Sequence, residues 1–357
     1  MVAGQAGQPA GSQGQGKSGL NQSTLSAALS GDASAFEALT EQYRRELFTH
    51  CYRMVGSLED AEDLVQETLL RAWRRLSTYE GRATFRAWLY KIATNACLDA
   101  LDRRPRRGLP QTRVPSADPR TPIPAPLSEP VWLEPFPDEF LEPTESTPEA
   151  RIEAREGISL SFLVALQTLP PRQRCVLILS DVLDWHAAEL AEMLGISLPS
   201  VNSLLHRARL SLRKTYPAHL RDTVASTAED RPTRFLLERY VKAWESADVD
   251  GIIALLTEET TFAMPPLPFW LRGRTAIRDF IATSLLGGEP RLDWCLLPIR
   301  ANGEHGFAWY SRGEADLNFQ PYTIQVMSTG NGGVKEIISF LDRSLFRFFD
   351  LPTELPG

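Results

Sequence analysis

The chain has 357 residues, 43% of them hydrophobic and 23% charged, with a formal net charge of −7. That length exceeds one ordinary core, so two or three domains are expected, and no stretch approaches the ~18 apolar residues that span a bilayer, so no membrane partner is expected. The four cysteines (Cys51, Cys97, Cys175, Cys295) and the five histidines lack metal-ligand spacing, and no phosphate-cradling glycine motif or nucleophile elbow occurs. The expectation is a cytoplasmic protein with no cofactor and no metal.

Residues 1–29 are dominated by Gly, Gln and Ser and lack an apolar segment behind a basic start, which predicts a disordered tail, neither a signal peptide nor an anchor. Beyond it the charge is segregated. Glu59–Glu67 holds five acids and no base, and Arg71–Arg107 ten bases against three acids. Residues 108–156 carry four bases against ten acids, and 168–221 seven against four. Two basic blocks separated by an acidic one fit a nucleic-acid binder better than the net charge does.

Residues 30–104 read as helical throughout. Leu64, Val65, Thr68, Leu69, Ala72, Trp73 and Leu76 recur at the 3.6-residue period, as do Phe85, Trp88, Leu89, Ile92, Ala93, Ala96, Cys97 and Ala100. Ser77–Thr84, containing Gly81, is the loop between two helices expected to pack antiparallel. Residues 105–149 are rich in proline and acidic, without an apolar period, and predict an extended linker. Its patch Val131, Trp132, Leu133, Phe136 and Phe140 is expected to dock on a folded surface.

Residues 150–217 carry the spacing of a helix-turn-helix: Ala188–Leu194, the turn Gly195-Ile196-Ser197, then Pro199–Lys214. Pro199 suits a first helical turn, where its missing N–H costs nothing. Residues 232–350 change character. Helices over Arg234–Ser246 and Val249–Leu256 precede five strand-like runs, Thr260–Met264, Leu292–Leu297, Gly306–Tyr310, Tyr322–Ser328 and Val334–Phe340, with a helix over Ala276–Leu285 after the first. Helices followed by an antiparallel meander predict an α+β domain. The fold class is therefore multidomain, with two all-α domains followed by an α+β domain.

Three surfaces emerge from these elements. The acidic helix start Asp60-Ala61-Glu62-Asp63 extends through Gln66-Glu67, and carboxylates in a first helical turn are stabilised by the helix dipole, a plain explanation for them. Asp63, Gln66, Glu67, Leu70 and Arg74 continue along the solvent face as a protein-docking surface would. Tyr79, Arg82, Arg86, Trp88, Lys91 and Asn95 mix cations and aromatic rings, the combination that holds single-stranded DNA, although Trp88 also lies on the core stripe. Ser200, Asn202, Ser203, His206 and Arg207 would meet base edges in a major groove, with Arg209, Arg213 and Lys214 on phosphates.

The segment FEALTEQYRRELFTHCYRMVGSLEDAEDLVQETLLRAWRRLSTYEGRATFRAWLYKIATNACLDALDRR resembles region 2 of the extracytoplasmic-function (ECF) sigma factors. LPPRQRCVLILSDVLDWHAAELAEMLGISLPSVNSLLHRARLSLRK is similar to their region 4. The resemblance implies a promoter-specific initiation factor that is not an enzyme, with core RNA polymerase and promoter DNA as partners. It implies that Asp60, Glu62, Asp63, Gln66 and Glu67 dock on the β′ clamp helices. It assigns the minus-ten element to Tyr79, Arg82, Arg86, Trp88, Lys91 and Asn95. The minus-thirty-five element falls to Ser200, Asn202, Ser203, His206, Arg207, Arg209 and Arg213, in a block that also touches the β flap. The family pattern VKSRL stands here as Val201-Asn202-Ser203-Leu204-Leu205, two positive charges poorer.

The C-terminal block resembles the cone-shaped SnoaL-like domains, related in fold to ketosteroid isomerases, through its helix pair, the Leu271-Arg272-Gly273-Arg274 turn and the strand VKEIISFLD. Such a cone would offer a small apolar ligand a pocket lined by Phe262, Met264, Phe269, Trp270, Trp294, Trp309 and Tyr310, residues that are more often plain core. An isomerase would need a base opposite an oxyanion donor; Asp293, Asp316 and His305 are available, and nothing pairs them. The domain is expected to regulate the sigma regions in place of a separate inhibitor.

Overall fold

A computed structural model describes residues 23–103, 106–127, 131–141, 157–215, 231–288, 291–330 and 332–357. Most of the tail expectation, residues 1–22, lies outside these. Residues 23–29, expected in the tail, are helical because Leu25 and Ala28 find apolar partners on the first helical block.

Three helices build that block: α1 (Ala33–Val55), α2 (Leu58–Arg75) and α3 (Phe85–Leu101). Asp32 caps α1 by accepting from Ser34 and Ala35 N–H, and Gly56 ends it in the left-handed conformation. Ser57 caps α2, and Thr84 caps α3. Leu64, Val65, Thr68, Leu69, Ala72 and Leu76 are buried as the periodicity requires, together with Phe85, Leu89, Ile92, Ala93, Ala96 and Cys97; Trp73 and Trp88 are half-buried.

The second helical block comprises α4 (Leu160–Thr168), α5 (Pro171–Leu177), α6 (Ala187–Leu194) and α7 (Leu198–Thr215). Gly195, left-handed, turns the chain from α6 into α7, and Val201, Leu205, Ala208 and Leu212 seal α7 to the block. This block seats on the first through two buried guanidinium groups. Arg174 donates to the carbonyls of Leu166, Gln167 and Leu169, to Gln167 Oε1, and across the seam to Met54 O near the C-terminus of α1. Arg53 reaches back to Gly157 O at 2.9 Å. Burial holds the Arg174 guanidinium down to about 9.

The third block begins with α8 (Arg231–Glu245) and α9 (Val249–Ala254), followed by β1 (Leu256–Ala263), β2 (Trp270–Arg272) and α10 (Arg274–Phe280). Four long strands complete it: β3 (Leu292–Ala301), β4 (Glu304–Gly313), β5 (Asn318–Gly330) and β6 (Gly333–Phe340). The sheet order is β2-β1-β6-β5-β4-β3, with β7 (Leu355–Pro356) paired to β5. The meander β3 to β6 is antiparallel as expected, but β1 joins β6 in parallel, and β2 adds an edge the sequence reading missed. The helices between β1 and β3 carry the chain back across the sheet, which permits the parallel pairing.

The sheet buries both faces. One, with Phe262, Trp294, Leu296, Phe307, Trp309 and Ile337, packs on Tyr240 and Trp244 of α8. The other, with Ala301, Ala308, Tyr310, Ile324, Val326, Ile338 and Phe340, merges with the core of the helical blocks. The material between is the linker. Leu133 and Phe136 are fully buried, and Val131 and Trp132 nearly so. The Phe136 ring lies 4.5 Å from Tyr52 and 5.9 Å from Phe48, and Trp132 Nε1 donates to Pro266 O at 2.7 Å. The expected docking of the aromatic patch is thus realised on two blocks at once. The N-terminal half of the linker follows the C-terminal domain: Ala117 N–H donates to Trp270 O, and Trp270 Nε1 to Val114 O.

Phe136→Ala is expected to lower stability by about 3–5 kcal/mol, the cost of emptying a buried aromatic site. Urea unfolding followed by both far-ultraviolet dichroism and tryptophan fluorescence checks this, and the wild-type curves should coincide because the core is shared.

Candidate polymerase and nucleic-acid interfaces

The acidic face of α2 is built by its own sequence and then partly covered. Asp63 and Gln66 are exposed, beside Leu70 at 43% exposure. Asp60 is not open: Arg107, at the start of the linker, donates to it at 2.8 Å, with side-chain exposures of 8% and 13%. The same guanidinium bonds Trp132 O and lies 3.7 Å from Glu134. Glu134 accepts from Leu58 N–H at 2.6 Å, adding a carboxylate to the N-terminus of α2, where the helix dipole favours it. Burial nevertheless raises the Glu134 carboxyl, against the pull of Arg107. Glu62 pairs with Arg347 of the C-terminal segment at 3.1 Å, and Glu67 with Arg71 at 2.7 Å.

The minus-ten candidates divide in the same way. Arg82, Lys91 and Asn95 are exposed. Tyr79, Phe85 and Trp88 form one aromatic cluster with ring separations of 5.4–5.5 Å, so Trp88 does serve packing. A cleft of about 680 Å³ separates Arg82, Trp88 and Lys91 on one wall from Trp185, Glu189 and Glu192 on the other. Arg86 lines the same cleft but is engaged within the protein: it donates to Glu46 at 2.8 Å and lies over Tyr90 at 4.9 Å and over Trp185 of the second helical block at 6.0 Å. Glu46, Arg107, Trp185 and Arg347 escaped sequence reasoning, because each acts across a distance that no periodicity reports.

On α7, Ser200, Asn202, Ser203, His206, Arg207 and Arg213 are exposed along one helix. Arg207 donates to Ser203 Oγ at 2.8 Å, and Arg172 joins Ser200, Ser203 and Arg207 around one shallow groove. Arg209 differs: Asp181 grips it bidentately at 2.6 and 3.0 Å, so its charge is neutralised locally.

In the C-terminal domain the cone is filled. Trp244, Phe262, Met264, Trp294 and Trp309 close around a residual void of about 20 Å³, room for roughly one water. Phe269 packs on Phe280, Tyr310 lies on the opposite sheet face against Phe346, and Trp270 holds the linker. Asp293 pairs at the surface with Arg312, Asp316 accepts from Gly313 N–H in a turn, and His305 lines a separate cleft against α8. Among the described residues no helix is long and apolar enough to cross a membrane, and no group of three or more His, Cys, Asp or Glu could hold a metal ion.

Comparison with known proteins defines the class. Residues 39–107 match the Sigma-70 region 2 family, 159–212 Sigma-70 region 4, and 237–336 the SnoaL-like domain family. The chain belongs to the ECF RNA polymerase sigma factors, proteins that bind core RNA polymerase and promoter DNA and direct promoter-specific initiation. In particular, it is 44% identical over 323 residues to the ECF RNA polymerase sigma factor SigG of Mycobacterium tuberculosis, covering 90% of this chain and 85% of that one. It is 31% identical over 204 residues to SigE of Mycolicibacterium smegmatis, covering 55% and 68%. The crystal structure of the Mycobacterium tuberculosis sigma factor SigJ shares the fold, with a TM-score of 0.54 and 22% identity over 90% of this chain and all of that one.

Arg213→Ala should lower affinity for a promoter duplex and reduce the slope of log K against log salt by about 1, the loss of one phosphate contact. Arg209→Ala should change that slope less, because Asp181 already screens its charge; anisotropy titrations at three salt concentrations compare the two.

Proposed function

We propose that this sigma factor is held by its own C-terminal domain in a form whose polymerase- and promoter-binding surfaces are partly occupied. The observation that carries the reading is the Arg107 clasp: the linker, buried against the C-terminal sheet, places a guanidinium on Asp60 at 2.8 Å. In the open form Asp60, Glu62, Asp63, Gln66 and Glu67 dock on the β′ clamp helices. Tyr79, Arg82, Arg86, Trp88, Lys91 and Asn95 then hold the melted minus-ten element. Ser200, Asn202, Ser203, His206, Arg207 and Arg213 read the minus-thirty-five duplex, with Arg209 joining once Asp181 yields, and the second helical block also meets the β flap.

In this reading the C-terminal domain performs no catalysis and takes no ligand in its cone. What supports this is the aromatic filling of the cone and the separate surface roles of Asp293 and Asp316. A domain with a solid interior and a large shared face is suited to gripping its own chain.

Core-binding titrations and run-off transcription with purified core polymerase test the reading. Asp63→Ala should weaken core binding at least fivefold. Arg347→Ala should strengthen it by a factor of about 1.5–5, the range of one exposed ion pair. Unchanged binding in Asp63→Ala, or weaker binding in Arg347→Ala, contradicts it.

A further inference from the structure

The C-terminal domain grips the linker at one place above all, the tip of the β3–β4 hairpin. Asn302 and Gly303 both have positive φ, the conformation of a tight two-residue hairpin turn. Asn302 is fully buried and bonds three ways: its N–H donates to Phe136 O at 2.8 Å, its Oδ1 accepts from Phe136 N–H at 2.8 Å, and its Nδ2 donates to Ile158 O at 2.8 Å. Gly303 N–H donates to Asp138 Oδ1 at 2.7 Å, and Pro137 bridges Ala301 antiparallel. The linker thus meets the end of edge strand β3 through a single β-bridge and the turn beyond it, a minimal version of the way a sheet edge captures a peptide.

Beside this tip lies a row of carboxylates. Glu304 follows the turn directly. Ser328 on β5 donates to it at 2.5 Å, and Ser328 is itself paired with Glu336 on β6, which is paired with Thr261 on β1. The linker contributes at both ends: Gln111 donates to Glu336 at 2.9 Å, and Asp138 faces Glu304. Arg300 on β3 is the cation facing Glu304, and it also lies 3.6 Å from Asp138. Three carboxylates, one of them carried by the linker, therefore converge where the linker is held.

We propose that the hairpin tip and this row form a proton-responsive latch: a protonated Glu304 keeps the linker docked on β3, and its ionisation loosens the linker and with it the Arg107 clasp on α2. Burial, with Glu336 and Asp138 adding to it, raises the Glu304 carboxyl to about 7 despite Ser328 and Arg300; Glu336 is raised too, chiefly by burial. A carboxyl raised in the docked state binds its proton more tightly there. Glu304's contribution to docking is therefore fully present below about 4.5, falls as pH climbs from about 4.5 through about 7, and is lost above. The inference rests on the restraint reading for its consequence, but its test needs no polymerase.

Hydrogen exchange of the full chain reads docking directly, as protection factors of the Phe136, Asn302 and Gly303 amides corrected for intrinsic rates. Between pH 6 and 8.5 the wild type should lose about tenfold in protection, the proton linkage of one carboxyl moving from about 4.5 to about 7. Glu304→Gln should show equal protection at both values. Ser328→Ala, which removes a bond to the ionised form, should move the midpoint upward. A wild type insensitive to pH, or the same loss in Glu304→Gln, overturns the latch and leaves the restraint reading to stand or fall on the transcription assays.

Discussion

The burial of Phe136 between Tyr52 and Asn302 is the contact on which the rest depends. It inserts eleven described linker residues, 131–141, between a helical bundle and a sheet face that join in one core. Because both sides bury apolar surface against the same segment, the blocks share one interior, and burial of that kind outweighs any of the surface ion pairs around it. The Arg107–Asp60 clasp, the Glu134 cap on α2 and the Arg347–Glu62 pair are consequences: they form because the linker and the C-terminal segment are already held in place.

A filled cone makes mechanical sense in this arrangement. Trp244, Trp294 and Trp309 leave a void of about 20 Å³ inside the cone. What remains is a stiff two-faced sheet whose outer face and hairpin tip do the binding. The seam between the helical blocks is of a different kind. Arg53 and Arg174 are buried and donate to uncharged oxygens, backbone carbonyls and the Gln167 amide. Such a seam is costly to leave half-open, which favours two discrete arrangements over a gradual one.

Local features were legible in the sequence where a single element decides them. Gly195 marked the turn of the helix-turn-helix, the apolar periods of α2 and α3 named the buried residues, and five of the strands stood where alternation placed them. The roles proposed for the acidic and basic faces came from the resemblance. Contacts made across tens of residues were not legible. Arg107 meets Asp60 and Trp185 meets Arg86 through tertiary packing, and neither partner has a spacing that announces it. The parallel pairing of β1 with β6 was hidden for the same reason. Trp132 and Phe136 stood out as unusual in a proline-rich stretch, which was enough to expect docking and too little to name Asn302 as the receptor.

The central claim is that in the free protein the linker fastens the first helical block rigidly to the C-terminal domain. Spin labels at Arg75→Cys on α2 and Leu317→Cys on the β4–β5 turn, in a chain also carrying Cys295→Ser, measure it directly by pulsed electron double resonance. The account predicts one narrow distance distribution in the free chain, broadened when Phe136→Ala is added. A broad or multimodal distribution in the chain that retains Phe136 would contradict it.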